Sequence, residues 1–185
     1  ITVSLGHTAA DDETVHAAAD HGASHVTHTF NAQTPLNHRA PGVPGAALVD
    51  DRLACEFISD GIHLHPDIVR LIIRCKGKKL AVAITDAMEA AGMPDGKYQL
   101  GGQDVYVKDN AARLADGTLA GSTLTLIRAF QNMIRFGIAP EDAAAMVTST
   151  PAASIRNDEY GVIRVGAPAV FARFTSDYDF VSVIG

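Results

Sequence analysis

Four short β-rich runs lie in the first half of the chain, at residues 2–5, 25–30, 53–59 and 80–85, and each ends in a polar residue followed by a loop. Helical spacing fills the stretches between them. Residues 11–21 carry one such stretch, opened by Thr8 and a cluster of acids suited to a helix N-terminus; residues 66–75 carry another, with Val69, Ile72 and Ile73 on one face. Short strands alternating with helices predict βαβ units and a parallel sheet, so the expected fold class is α/β. After Thr85 the rhythm changes. Residues 97–100 and 104–108 flank Gly101-Gly102 like a β-hairpin, and helices follow over about residues 124–135 and 140–149, the second opened by Pro140. Residues 161–185 read as short strands separated by Gly166, Pro168 and Asp177, a β piece outside the α/β rhythm.

Composition narrows the possibilities. With 185 residues and 47% hydrophobic content the chain can bury a sizeable core. Lys and Arg number 15 against 21 Asp and Glu, for a net charge of -6, which lacks the basic surface that nucleic acid demands. Cys55 and Cys75 make no C-x-x-C pair and suggest no disulfide framework, which fits a cytoplasmic location. No apolar run approaches the ~20 residues of a membrane span, and residues 1–6 are no charged-then-apolar export signal, so no membrane role is expected. Because residues 1–5 look like a core strand without a lead-in, Ile1 is expected to be a truncation point.

His7, His28, His63 and Asp86 each stand at or just past the end of one of the four β runs. In a parallel α/β barrel those ends share one face, where the chemistry sits. Imidazoles and carboxylates are the ligands that Zn²⁺ and similar ions take, and a catalytic site keeps one position for water. A carboxylate beside that water can accept its proton and return it to a leaving group, a role open to Asp86 in Ile84-Thr85-Asp86-Ala87. Asp86 also suits a helix cap or turn, and any one histidine suits a bond to a loop carbonyl.

Six segments carry a resemblance in chain order: Gly6-His7-Thr8, Thr27-His28-Thr29-Phe30-Asn31-Ala32, His38-Arg39-Ala40-Pro41-Gly42, Ser59-Asp60-Gly61-Ile62-His63, Thr85-Asp86-Ala87, and Gly117-Thr118-Leu119-Ala120-Gly121-Ser122. Together they resemble the N-acetylglucosamine-6-phosphate deacetylase family of the amidohydrolases. The resemblance implies the C-terminal half, strands 5 to 8, of a (β/α)₈ TIM barrel over residues 1–155, followed over 156–185 by the closing strands of a small β-sandwich. It implies that His7 and His28 are metal ligands and that Asp86 is the general acid/base. Asn31 and Ala32 would hold the phosphate or sugar, and Asp60, Gly61, Ile62 and His63 would contact the sugar. Leu119, Ala120 and Gly121 would wall the N-acetyl group. Arg39 would reach across a homodimer interface to the neighbouring subunit's phosphate, a task suited to a guanidinium fork. The implied cofactor is a divalent metal, zinc first, with iron, manganese or cobalt as alternatives, and the implied substrate is an amino-sugar phosphate.

Three departures stand out: Gln33 where Met is usual, Ala40 where the family has an acid, and Val170 where the closing strands carry Asp. A further metal ligand is expected before residue 1, so the isolated chain is expected to be inactive. The competing readings are another amidohydrolase, such as a cyclic amidase or an aminoacylase, and a non-catalytic sugar-phosphate-binding fragment. His16, His21, His25 and His65 are expected to be structural, and the four methionines to be fill.

Overall fold

A computed structural model describes residues 1–157 and 159–185. Its centre is a parallel four-stranded sheet in the order β1 (Ser4–Leu5), β2 (His25–Val26), β3 (Ala54–Ile58) and β4 (Ala81–Ile84). Helices α1 (Asp12–Asp20), α2 (Gly42–Val49) and α3 (Pro66–Leu80) connect successive strands, as the alternation predicts. Val26, Cys55, Phe57, Ala81 and Ala83 pack with Val15, Val43, Val69 and Ile72 in one buried cluster, so the helices cover one face of the sheet.

Local chemistry sets several boundaries. Asp11, and not Thr8, caps α1: its carboxylate accepts the Thr14 N–H at 2.9 Å. β2 ends four residues earlier than its apolar run suggests, because His28 (φ 31°) and Phe30 (φ 78°) turn the backbone out of the extended region. α3 runs past residue 75 through a break at Gly77, and Lys76 on its inner side donates to the carbonyls of Ala47 and Asp50. Helix α2 is not foreseen by the sequence reading. It is buried on nearly every side, so it shows no amphipathic period, and Pro44, Gly42 and Gly45 disguise it further.

The hairpin falls where Gly101-Gly102 places it, as β5 (Gly96–Leu100) and β6 (Gln103–Lys108), with a third antiparallel strand, β7 (Ala111–Arg113), added. α4 (Leu126–Arg135) starts at the Thr125 cap, and α5 (Pro140–Val147) is followed by a separate α6 (Ser149–Ser154). In the tail, β8 (Phe171–Phe174) and β9 (Phe180–Ile184) form an antiparallel pair, while 161–170 hold no strand. Among the described residues no helix is long and apolar enough to cross a membrane.

Candidate active site

The parallel order of β1 to β4 carries His7, His28, His63 and Asp86 to the same end of adjacent strands. His7 and His28 meet there. Their Nε2 atoms face each other at 3.0 Å, with ring centroids 4.7 Å apart and an interplanar angle of 76°. His28 is 5% exposed and its Nδ1 has no hydrogen-bond partner; His7 is exposed and opens onto a cavity of about 450 Å³ shared with Thr8, Ala32 and Gln33.

Three of these four residues sit on strained backbone. His7, His28 and Asp86 have φ of 48°, 31° and 47°, in the left-handed region that costs a side-chain-bearing residue energy. Such strain turns each side chain off the strand direction and concentrates at binding and catalytic sites.

Do these residues fit a divalent ion? Two imidazole nitrogens bound to one tetrahedral ion at ~2.0–2.1 Å stand roughly 3.3 Å apart. The His7 and His28 Nε2 separation is close to that span, and the donor type is right. Two nitrogens are half of a ligand set, however, and among the described residues no third His, Cys, Asp or Glu joins them in a cluster that could hold a metal.

The loop after His28 is held by its own side chains. Asn31 Nδ2 donates to the carbonyls of His28 at 3.2 Å and Thr29 at 3.5 Å, while Ala32 adopts φ 49°. Gln33 is the residue whose role the sequence left unexplained. Its Oε1 accepts the Phe30 N–H at 3.0 Å and its Nε2 donates to the Thr27 carbonyl at 3.0 Å, so one carboxamide staples both ends of the turn. Arg39 lies exposed at the tip of a turn closed by Asn37 and Ala40.

After β3, Asp60 accepts the backbone N–H groups of Ile62 and His63, both at 2.8 Å, and binds His63 Nδ1 at 2.6 Å. Asp60 therefore orients His63 and shapes the turn through Gly61. Burial pushes the Asp60 carboxyl up, but the His63 and backbone bonds outweigh that and hold it below its ordinary value.

The segment Leu119, Ala120, Gly121 and Ser122 joins the end of β4. Ser122 N–H donates to the Asp86 carbonyl at 2.8 Å, Met88 N–H donates to the Ser122 carbonyl at 2.9 Å, and the Ser122 hydroxyl bonds the Thr85 carbonyl. Gly121 (φ 66°) lies so near that a Cβ there would stand 3.3 Å from the Asp86 carbonyl oxygen. Leu119 and Ala120 run beside β7. Ser122, known from sequence only as the end of a motif, is thus the anchor between the two segments.

Glu56 escaped the sequence reading. It is the one charged residue in Ala54–Ile58, and alternation turns it to the sheet face opposite Cys55 and Phe57. Burial, and then the negative charge of Asp86, push its carboxyl above its ordinary value. The four histidines expected to be structural make local contacts. His16 binds Asp50, His21 binds the Ala17 carbonyl, His65 caps α3, and His25 is buried beside Ser24.

A parallel α/β sheet that collects imidazoles and carboxylates at the C-terminal ends of adjacent strands defines an α/β protein with its candidate site on that rim. The chain belongs to the amidohydrolase family, whose profile matches residues 1–183. It is 41% identical to N-acetylglucosamine-6-phosphate deacetylase of Bacillus subtilis (strain 168), covering 100% of this chain and 47% of that protein. It is 45% identical to N-acetylgalactosamine-6-phosphate deacetylase of Escherichia coli O157:H7, covering 82% of this chain and 40% of that protein. A mutant N-acetyl-D-glucosamine-6-phosphate deacetylase from Mycobacterium smegmatis, solved in complex with N-acetyl-D-glucosamine-6-phosphate, superposes with TM-score 0.93 at 35% identity, over 100% of this chain and 50% of that one. The chain thus spans about half the length of the relatives it matches.

Proposed function

We propose that the protein carrying this chain hydrolyses the N-acetyl group of an acetamido-sugar 6-phosphate, N-acetylglucosamine 6-phosphate first, to the amino-sugar 6-phosphate and acetate. The observation that carries this reading is the facing Nε2 pair of His7 and His28 on the rim that also bears Asp86, in a chain 41% identical to such a deacetylase. The four strands then correspond to strands 5 to 8 of a (β/α)₈ barrel over residues 1–155, and 156–185 to the end of a small β-sandwich.

His7 and His28 would supply two nitrogen donors to a divalent ion, zinc first, and no further donor joins them among the described residues. Such an ion, when bound, supplies Lewis-acid polarisation of the acetyl carbonyl and a water that loses its proton near neutral pH. Asp86 takes the proton as water attacks and returns it to the departing amine nitrogen, so one water is consumed and the C–N bond breaks. His63, fixed through its Nδ1 by Asp60, presents Nε2 to a sugar hydroxyl. Asn31, Ala32 and the exposed Arg39 hold the phosphate, Arg39 in the neighbouring subunit of a homodimer, and Leu119 to Gly121 wall the acetyl group beside Asp86. Cys55 and Cys75 are both free thiols, which supports a reducing, cytoplasmic setting.

The test is acetate release by the intact, metal-replete protein from N-acetylglucosamine and N-acetylgalactosamine 6-phosphates. Asp86→Asn is expected to lower kcat by about 10²–10⁴-fold. Full rate in that variant removes the acid/base role, and no acetate from either substrate overturns the function.

A further inference from the structure

A second cavity, of about 260 Å³, shares no lining residue with the cavity beside His7. Its walls are the turn after β3, the β6–β7 turn, the loop before α4 and one face of α4. Arg128 and Arg135 line it from that face, seven residues and so about 10.5 Å apart along the axis. Each guanidinium is aimed by a neutral amide: Arg128 Nη1 donates to Asn110 Oδ1 at 3.1 Å, and Arg135 Nη1 to Asn132 Oδ1 at 3.3 Å. Among the described residues neither arginine has a carboxylate in ion-pair range.

The walls are tied together. The Thr123 hydroxyl donates to the Asn110 carbonyl at 2.9 Å, and Asn132 Nδ2 donates to the Ser59 carbonyl at 2.9 Å. Of the two acids on the lining, Asp60 has both oxygens committed to His63 and the backbone, while Asp109, at the β6–β7 turn, has no ion pair among the described residues. The lining thus holds two guanidiniums, two carboxylates, two amides and a hydroxyl.

We propose that this cavity is a second site for an amino-sugar phosphate. The phosphate meets Arg128 and Arg135, whose forks each match two of its oxygens. Asn110, Asn132 and Thr123 meet the ring hydroxyls, and Asp109 meets the ammonium group. A ligand bearing both charges is the product of the proposed deacetylation, and the assignment of that ligand rests on the proposed function. On that same reading β3 and β4 are the last two barrel strands, whose following loops frequently hold phosphate in such barrels. Asp60 lines the cavity and grips His63, so a ligand here touches the element that orients a proposed substrate contact.

The experiment uses the intact protein with Asn31→Ala and Arg39→Gln, which together remove the side-chain phosphate contacts assigned to the main site. Glucosamine 6-phosphate is titrated by calorimetry, and amide signals of Asn110 and Thr123 are followed by NMR, with inorganic phosphate as competitor. Saturable binding is expected, with both amides shifting, competition by phosphate, and at least a tenfold loss of affinity on adding R128Q and R135Q. Absence of saturable binding, or binding unchanged by the arginine replacements, overturns the proposal. If the arginine variant does not fold, the two amide signals decide, and their failure to move has the same force. Acetate release is read separately, so a protein that binds here but deacetylates nothing counts against the proposed function alone.

Discussion

The Asp60 carboxylate grips the His63 ring, Oδ2 to Nδ1 at 2.6 Å, while its other oxygen accepts two backbone N–H groups of the same turn. One side chain therefore fixes both the ring and the loop that carries it. Because Asp60 is held below its ordinary value in the folded chain, its contribution to stability is present above the unfolded value and is lost as pH falls through the folded one. Asp60→Asn is expected to cost about 1–3 kcal/mol at neutral pH and progressively less in acid. Urea unfolding across that range checks it, and an equal cost at both ends would sink the linkage.

Gly121→Ala places a methyl group where φ is 66° and the Asp86 carbonyl oxygen stands 3.3 Å away. Left-handed backbone alone costs a residue with a Cβ roughly 1–2 kcal/mol. The expected outcome is that loss in the unfolding free energy, together with a reduced kcat, since the strain falls on the peptide that orients Asp86. An alanine variant with wild-type stability and rate would show that the contact relaxes freely.

Gln33→Met keeps an unbranched side chain of similar length and removes both carboxamide bonds of the turn. The Phe30 N–H and Thr27 carbonyl are then left for water or for nothing, at an expected cost of about 1–3 kcal/mol if they stay buried. Slower thermal inactivation of the methionine variant would contradict the staple.

His7→Asn and His28→Asn each remove one of the two facing nitrogens. Metal content of the dialysed intact protein is expected to fall for either change, and the double variant is expected to lose no more than the worse single one, because the two act as one unit. Unchanged metal content in both single variants would separate the pair from the metal.

How far the sequence could be read depends on what each residue answers to. Strand and helix alternation, the Gly101-Gly102 hairpin and the rim positions of His7, His28, His63 and Asp86 were legible because periodicity and loop position record them. Helix α2 was hidden since burial on all sides erases the polar face that marks a helix. The shortness of β2 was hidden because Phe30, an aromatic residue favoured in strands, turns at positive φ, which nothing in its type announces. Gln33 and Ser122 act through bonds to backbone atoms, which no hydrophobic pattern encodes. Glu56 is legible as a single acid inside an apolar strand.

The left-handed backbone at positions 7, 28 and 86 narrows what can occupy them before any reaction is considered. Histidine, aspartate and asparagine are the types that enter this region most readily among residues with side chains. Two demands, one conformational and one chemical, therefore select the same small alphabet. Truncating any of the three to alanine mixes a conformational penalty with the loss of the functional group, whereas asparagine keeps the fold's preference and tests the chemistry by itself.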